Sequence, residues 1–173
     1  MRSFVVLAFV LAMPSLGIAV PIVKMEQLAP ADPAWKFKTI AGPSRSDVAQ
    51  NTKATLTGNR WDSQSSGAAL VNGRLPGVSE QLSEMAFFDR NDAADGSIVI
   101  DLGQSQPVAA VNSYSWHDEA DQGARGPQVY TLSGSTDHTN WTKLADVDTR
   151  PNKTGANWTG QHGVNITDTT GPP

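Results

Sequence analysis

The chain has 173 residues, enough for one compact domain and too few for two comfortable ones. Its 13 basic residues are outnumbered by 17 acidic ones, for a net charge of −4. That balance leaves no basic patch to neutralise phosphates, so nucleic acid is not expected as a partner. With no cysteine in the chain, disulfides, thiolate metal sites and cysteine nucleophiles are excluded, and stability must come from packing.

The first 19 residues read as a cleavable export signal. Arg2 precedes an apolar run over residues 4–13, and Gly17-Ile18-Ala19 places small residues at the third and first positions before a cut after Ala19. Pro14 and Gly17 interrupt the apolar stretch, which falls short of the roughly 20 residues that span a bilayer. The expectation is a secreted, cell-envelope or periplasmic protein with no transmembrane segment after cleavage, which removes Arg2 and makes the net charge one unit more negative.

Residues 20–67 read as an N-terminal extension with the first loops and strands of the domain. Pro21, Pro30, Pro33 and Pro43 suit an extension or edge segment. Residues 47–67 are rich in Ser, Thr, Asn and Gln, as in a loop or short strand, with Trp61 as a packing residue. The main domain is expected over residues 68–173, ending in a polar tail. A short apolar run at residues 68–71 is closed by the turn signal Asn72-Gly73, and residues 79–85 are a candidate helix capped by Ser79.

The clearest strand is Ser97-Ile98-Val99-Ile100-Asp101-Leu102, bounded by Gly96 and Gly103. Ile98, Ile100 and Leu102 fall on one face by the two-residue period. Residues 108–116 repeat the pattern, with Ala110, Asn112, Tyr114 and Trp116 on one face and Val111 on the other. A polar loop over residues 117–127 leads to a strand at 128–135, with Tyr130 and Leu132 on one side. A turn then enters residues 141–147, while Val164 and Ile166 mark a brief strand in the tail. Strands joined by polar turns, without intervening helical periodicity, indicate an all-β antiparallel sandwich or jelly roll.

Three stretches resemble the discoidin family, the coagulation factor 5/8 C-terminal domains. They are Asp95-Gly96-Ser97-Ile98-Val99-Ile100-Asp101-Leu102-Gly103, then residues 108–116, then residues 127–137 followed by Asn140-Trp141. The likeness covers roughly residues 68–147 and implies a galactose-binding-like jelly roll, used mostly as a non-catalytic module that binds glycans, lipid headgroups or proteins through loops at one end. Many members carry a structural calcium ion. The resemblance allows one here, although Asn72 stands where the family has a carboxylate, and no other cofactor is expected. Phe87-Phe88 replaces a common Trp. The family's closing strands have no clear counterpart after Asp148, so the chain reads as truncated at its C-terminus, the alternative being that residues 164–166 and the N-terminal extension close the sheets. Trp141 follows the turn at a position the family buries.

The residues after the second strand form the candidate ligand site. Trp116 would stack on a sugar ring, and His117, Asp118 or Arg125 would bond its hydroxyls. His117-Asp118-Glu119 lacks the three or more convergent ligands of a metal site. Residues 89–96 fail the EF-hand template, because Ala93 and Leu102 fall at ligand positions counted from Asn91. No nucleophile elbow or zinc-helix motif is present, so the chain is not expected to be an enzyme. The reading is an exported binding module for carbohydrate or another cell-surface ligand, the alternative a structural or protein-interaction domain, as a fragment of a larger secreted hydrolase.

Overall fold

The computed structural model describes residues 5–10, 21–28, 34–58, 66–79, 81, 83–88, 96–117, 126–150 and 159–167. Among the described residues, eight strands and one short helix follow in chain order: β1 (Val5–Val10), β2 (Ile22–Leu28), β3 (Lys53–Thr57), α1 (Gly67–Leu70), β4 (Ser97–Asp101), β5 (Ala110–His117), β6 (Val129–Ser135), β7 (Thr142–Asp148) and β8 (Gly160–Thr167). The chain is all-β, with a five-stranded sheet ordered β3-β4-β1-β6-β7 and a three-stranded sheet ordered β2-β8-β5.

The three-stranded sheet is antiparallel throughout, as are the outer pairs β3·β4 and β6·β7. The centre of the larger sheet differs. There β1 runs parallel to both β4 and β6, with Leu7 opposite Ile98 and Leu132, and Phe9 opposite Ile100 and Gly134. This strand lies inside the segment whose sequence reads as an export signal.

Alternation sends one face of each sheet inward. From the larger sheet come Ile98, Ile100, Tyr130, Leu132, Ala145 and Val147, and from the smaller Val111, Val164 and Ile166, all in one buried cluster with Val71 and Leu102. Each fully buried aliphatic side chain contributes about 1.5–3 kcal/mol, so this seam carries most of the driving force. Polar bonds cross it as well. The Ser113 and Tyr130 hydroxyls lie 2.7 Å apart, and Gln128 Nε2 donates to the His162 carbonyl at 3.1 Å. Burial pushes the Tyr130 phenol up to about 12, against the opposing bond to Ser113.

Several expectations from local pattern need correction. The apolar run at residues 68–71, which local pattern left without an assigned element, falls largely in α1 (Gly67–Leu70), and Gly67 lies so close to Ala54 that a Cβ there would sit 1.8 Å from the Ala54 carbonyl oxygen. The candidate helix at 79–85 does not form in its described residues, where Glu84 N–H donates to the Gln81 carbonyl in a turn. Trp141 is 39% exposed rather than buried. The last β6·β7 pair is Gly134 with Thr142, so Trp141 projects beyond the ladder with no facing strand. The tail strand is larger than its two alternating residues suggested: β8 is the centre of its sheet, paired on both sides. The segments read as extension or loop supply two edge strands, β2 and β3. Trp61 and residues 89–95 lie outside the described residues.

Candidate functional site

The outer face of the smaller sheet is covered by the chain between β2 and β3. Glu26, on β2, accepts the backbone N–H groups of Lys38 at 2.7 Å and Thr39 at 2.6 Å, and also bonds the Thr39 hydroxyl. These bonds, the Thr39 hydroxyl first, hold its carboxyl below the usual range. The covering segment lays Phe37 on Gly163, where a Cβ would come within 2.9 Å of the ring. At its far end the Ala41 carbonyl accepts from Asn112 Nδ2 at 3.3 Å and from the Tyr114 hydroxyl.

An aromatic cluster results. Trp35 meets Trp116 edge to face with centroids 5.7 Å apart, and meets Tyr114 in the same way at 6.2 Å. Phe37 stacks on Tyr114 at 6.3 Å. Trp35, Phe37 and Tyr114 are half-buried, whereas Trp116 is 4% exposed beneath them. Burial pushes the Tyr114 phenol up to about 12; the side-chain bond to Asn112 opposes this and the charge of Asp47 adds to it.

A polar cleft of about 420 Å³ is lined by Arg45, Gln50, Asn51, Asn72, Gly73 and Arg74. One wall is a chain of turns. Asp47 Oδ2 accepts the Ser44 N–H at 2.8 Å, Gln50 N–H donates to the Asp47 carbonyl, and Asn51 N–H donates to the Val71 carbonyl at 2.7 Å. Asn51 takes the left-handed conformation with φ of 57°, which an Asn tolerates better than most residues. The other wall is the Asn72-Gly73 turn. Asn72 Oδ1 accepts the Arg74 N–H at 2.8 Å, and its Nδ2 donates to Glu84 at 2.5 Å. Gly73 has φ of 72°, a left-handed conformation that favours glycine, and Gln50 Nε2 stands 3.2 Å from where a Cβ would be, so a side chain there would also push the Gln50 amide aside.

Arg45 and Arg74 are exposed at the mouth, and among the described residues no carboxylate pairs with either guanidinium. The cleft thus sets two permanent positive charges and three carboxamides within one concavity of an acidic chain. The segment that carries Arg74 is also held from the aromatic cluster: Trp35 Nε1 donates to the Pro76 carbonyl at 2.9 Å, two residues beyond Arg74.

The residues expected from sequence to hold a ligand are placed differently. Trp116 and His117 end β5, and both are buried, with His117 fully so. Their side chains point to opposite faces: Trp116 lies beneath Trp35, while His117 alternates onto the core side with Val111. A sugar cannot stack on Trp116 while Trp35 covers it. Asp118 and Arg125 lie outside the described residues. Across from Trp116 on β8 stands Gln161, fully buried, with neither amide atom hydrogen-bonded among the described residues; Trp116 Nε1 is likewise without a partner there. Among the described residues no group of three or more His, Asp or Glu side chains converges in a way that could hold a metal ion. No described helix is long and apolar enough to cross a membrane.

Sequence reasoning singled out Asn72-Gly73 as a turn and missed its neighbours as a site. Arg45, Gln50 and Arg74 come from two segments that only the fold brings together.

No protein-family model, curated protein or solved structure matches the chain.

Proposed function

We propose that the chain is an exported, non-catalytic binding module of the discoidin-like jelly-roll type, whose ligand is a carbohydrate. The observation that carries this reading is the cleft: two exposed guanidiniums with no carboxylate partner among the described residues and three carboxamides, with the half-buried Trp35 hydrogen-bonded to Pro76, two residues beyond Arg74. Sugars are held by this combination, with amides and guanidiniums meeting hydroxyls and aromatic rings meeting the apolar ring face. The paired arginines favour a sugar bearing a carboxylate or sulfate, since guanidinium forks bind planar oxyanions in bidentate fashion. Nothing in the cleft supplies a nucleophile with an adjacent base.

A glycan array that includes uronate and sulfated sugars tests the reading. The intact protein should bind acidic glycans, and the double substitution Arg45→Ala with Arg74→Ala should weaken the best of them by roughly tenfold to a hundredfold, as expected for charge-assisted hydrogen bonds worth about 1.5–3 kcal/mol. Both substitutions are at exposed positions and should leave the melting curve almost unchanged. Equal binding by the double variant would place the ligand elsewhere, with Asp118 and Arg125 as the next residues to replace. A blank array for intact protein would remove carbohydrate from the proposal.

A further inference from the structure

The centre of the larger sheet depends on a strand that the chain has a chemical reason to discard. β1 makes six register pairs with β6 and four with β4, and β4 and β6 meet only through it. The other edge of β4 is taken by β3 and that of β6 by β7. The slot lies against the core and not at a rim, since the flanking Ile98, Ile100, Tyr130 and Leu132 are all buried. Removing β1 would leave two facing rows of backbone N–H and C=O groups unpaired in the middle of the sheet.

The segment itself serves two uses. Val5-Val6-Leu7-Ala8-Phe9-Val10 is apolar throughout, as strands flanked by parallel neighbours are, and as the central region of an export signal is. These fates exclude each other, because a peptide cut off after Ala19 is no longer tethered to the sheet.

We propose that the five-stranded sheet is a strand acceptor: its slot between β4 and β6 takes one extended apolar segment parallel to both edges, and Val5–Val10 of the same chain is the occupant as long as the leader remains attached. Export processing then opens the slot. The inference rests on the export part of the proposed function and not on its ligand, because no cleft residue lies on β1, β4 or β6.

The cysteine-free sequence makes the test clean. In the full-length chain with its leader retained, Ala8→Cys is combined with Ser133→Cys or with Val99→Cys, its two register partners. Directly opposed residues on neighbouring strands are roughly 5 Å apart, within disulfide range. The control joins Ala8→Cys to Lys53→Cys, on the far side of β4. Both opposed pairs should close as intramolecular disulfides on oxidation, and the control should keep its thiols. Free thiols in the opposed pairs, or equal closure in the control, would overturn the proposal. Disulfide-linked dimers would overturn the same-chain occupant in favour of a second copy. Should a cysteine variant fail to fold, hydrogen exchange of the full-length chain decides: Ala8→Pro, which removes a ladder donor, should speed exchange in β4 and β6 by about tenfold or more while β5 and β8 keep their protection. Unchanged protection in β4 and β6 would sink the idea.

Discussion

Replacing Trp116 with Ala separates a packing residue from a sugar platform. The indole is 4% exposed and contacts Trp35 edge to face at 5.7 Å, so truncation removes a large buried surface and leaves a cavity under the covering segment. Substitutions of this kind cost about 3–5 kcal/mol. The lost ring pair is worth about 0.5–1.5 kcal/mol of its own, and no described hydrogen bond is lost because Nε1 makes none. The net expectation is therefore at least about 3–5 kcal/mol, which in a domain stable by about 5–15 kcal/mol is a large fraction of the total. Urea denaturation followed by circular dichroism measures it as a lower midpoint at nearly constant slope, and melting should fall by roughly 10 °C. A cost below about 1 kcal/mol together with loss of glycan binding would refute the reasoning, since that pair of results belongs to an exposed platform.

Gln161 is fully buried opposite Trp116 with its amide unpaired among the described residues, a burden of about 1–3 kcal/mol, so Gln161→Met should raise stability by about 1 kcal/mol; a destabilised variant in the same urea assay would reveal a bonding role. Asp137 accepts the N–H groups of Asn140 at 2.7 Å and Thr139 at 2.9 Å and the Ser135 hydroxyl at 3.0 Å, and these bonds, Asn140 first, hold its carboxyl well below the ordinary 3.8. A lowered folded value means stability present above the unfolded value and lost as pH falls beneath it. The stability difference between the parent and Asp137→Ala should therefore be constant above about pH 5 and shrink toward pH 2, and a gap that widened on acidification would contradict the assignment.

The four strands that local pattern marked out most clearly, β4 to β7, are all present in the fold, and for a physical reason. Each alternates apolar and polar residues over a solvated or half-covered sheet, so burial is written into the two-residue period: Ile98, Ile100, Tyr130 and Leu132 are inside as their spacing requires. β2 and β3 were expected only as loops or short strands of an extension because edge strands in a polar, proline-interrupted stretch carry a weak period, and β8 only as a brief strand because glycine and polar residues interrupt its apolar ones. Gly163 is needed there to admit the ring of Phe37, a constraint set from another part of the chain.

The candidate site was harder to read than the scaffold. Trp116 looked available because an aromatic at the end of a strand, ahead of a polar loop, has that appearance when its own segment is considered alone. Whether it meets solvent depends on Trp35, some eighty residues earlier, and no local period encodes that contact. Arg45, Gln50 and Arg74 share a cleft for the same reason.

The amino-acid sequence alone determined the all-β class, the apolar faces of β4 and β6, the turn at Asn72-Gly73 and the absence of thiol chemistry, because each follows from composition or from neighbours two or three residues apart. Only the assembled chain could bury Trp116, gather the two arginines and seat Val5–Val10 between β4 and β6. Those outcomes depend on contacts between segments tens of residues apart, where the free energy comes from surfaces meeting and not from the preference of any one residue.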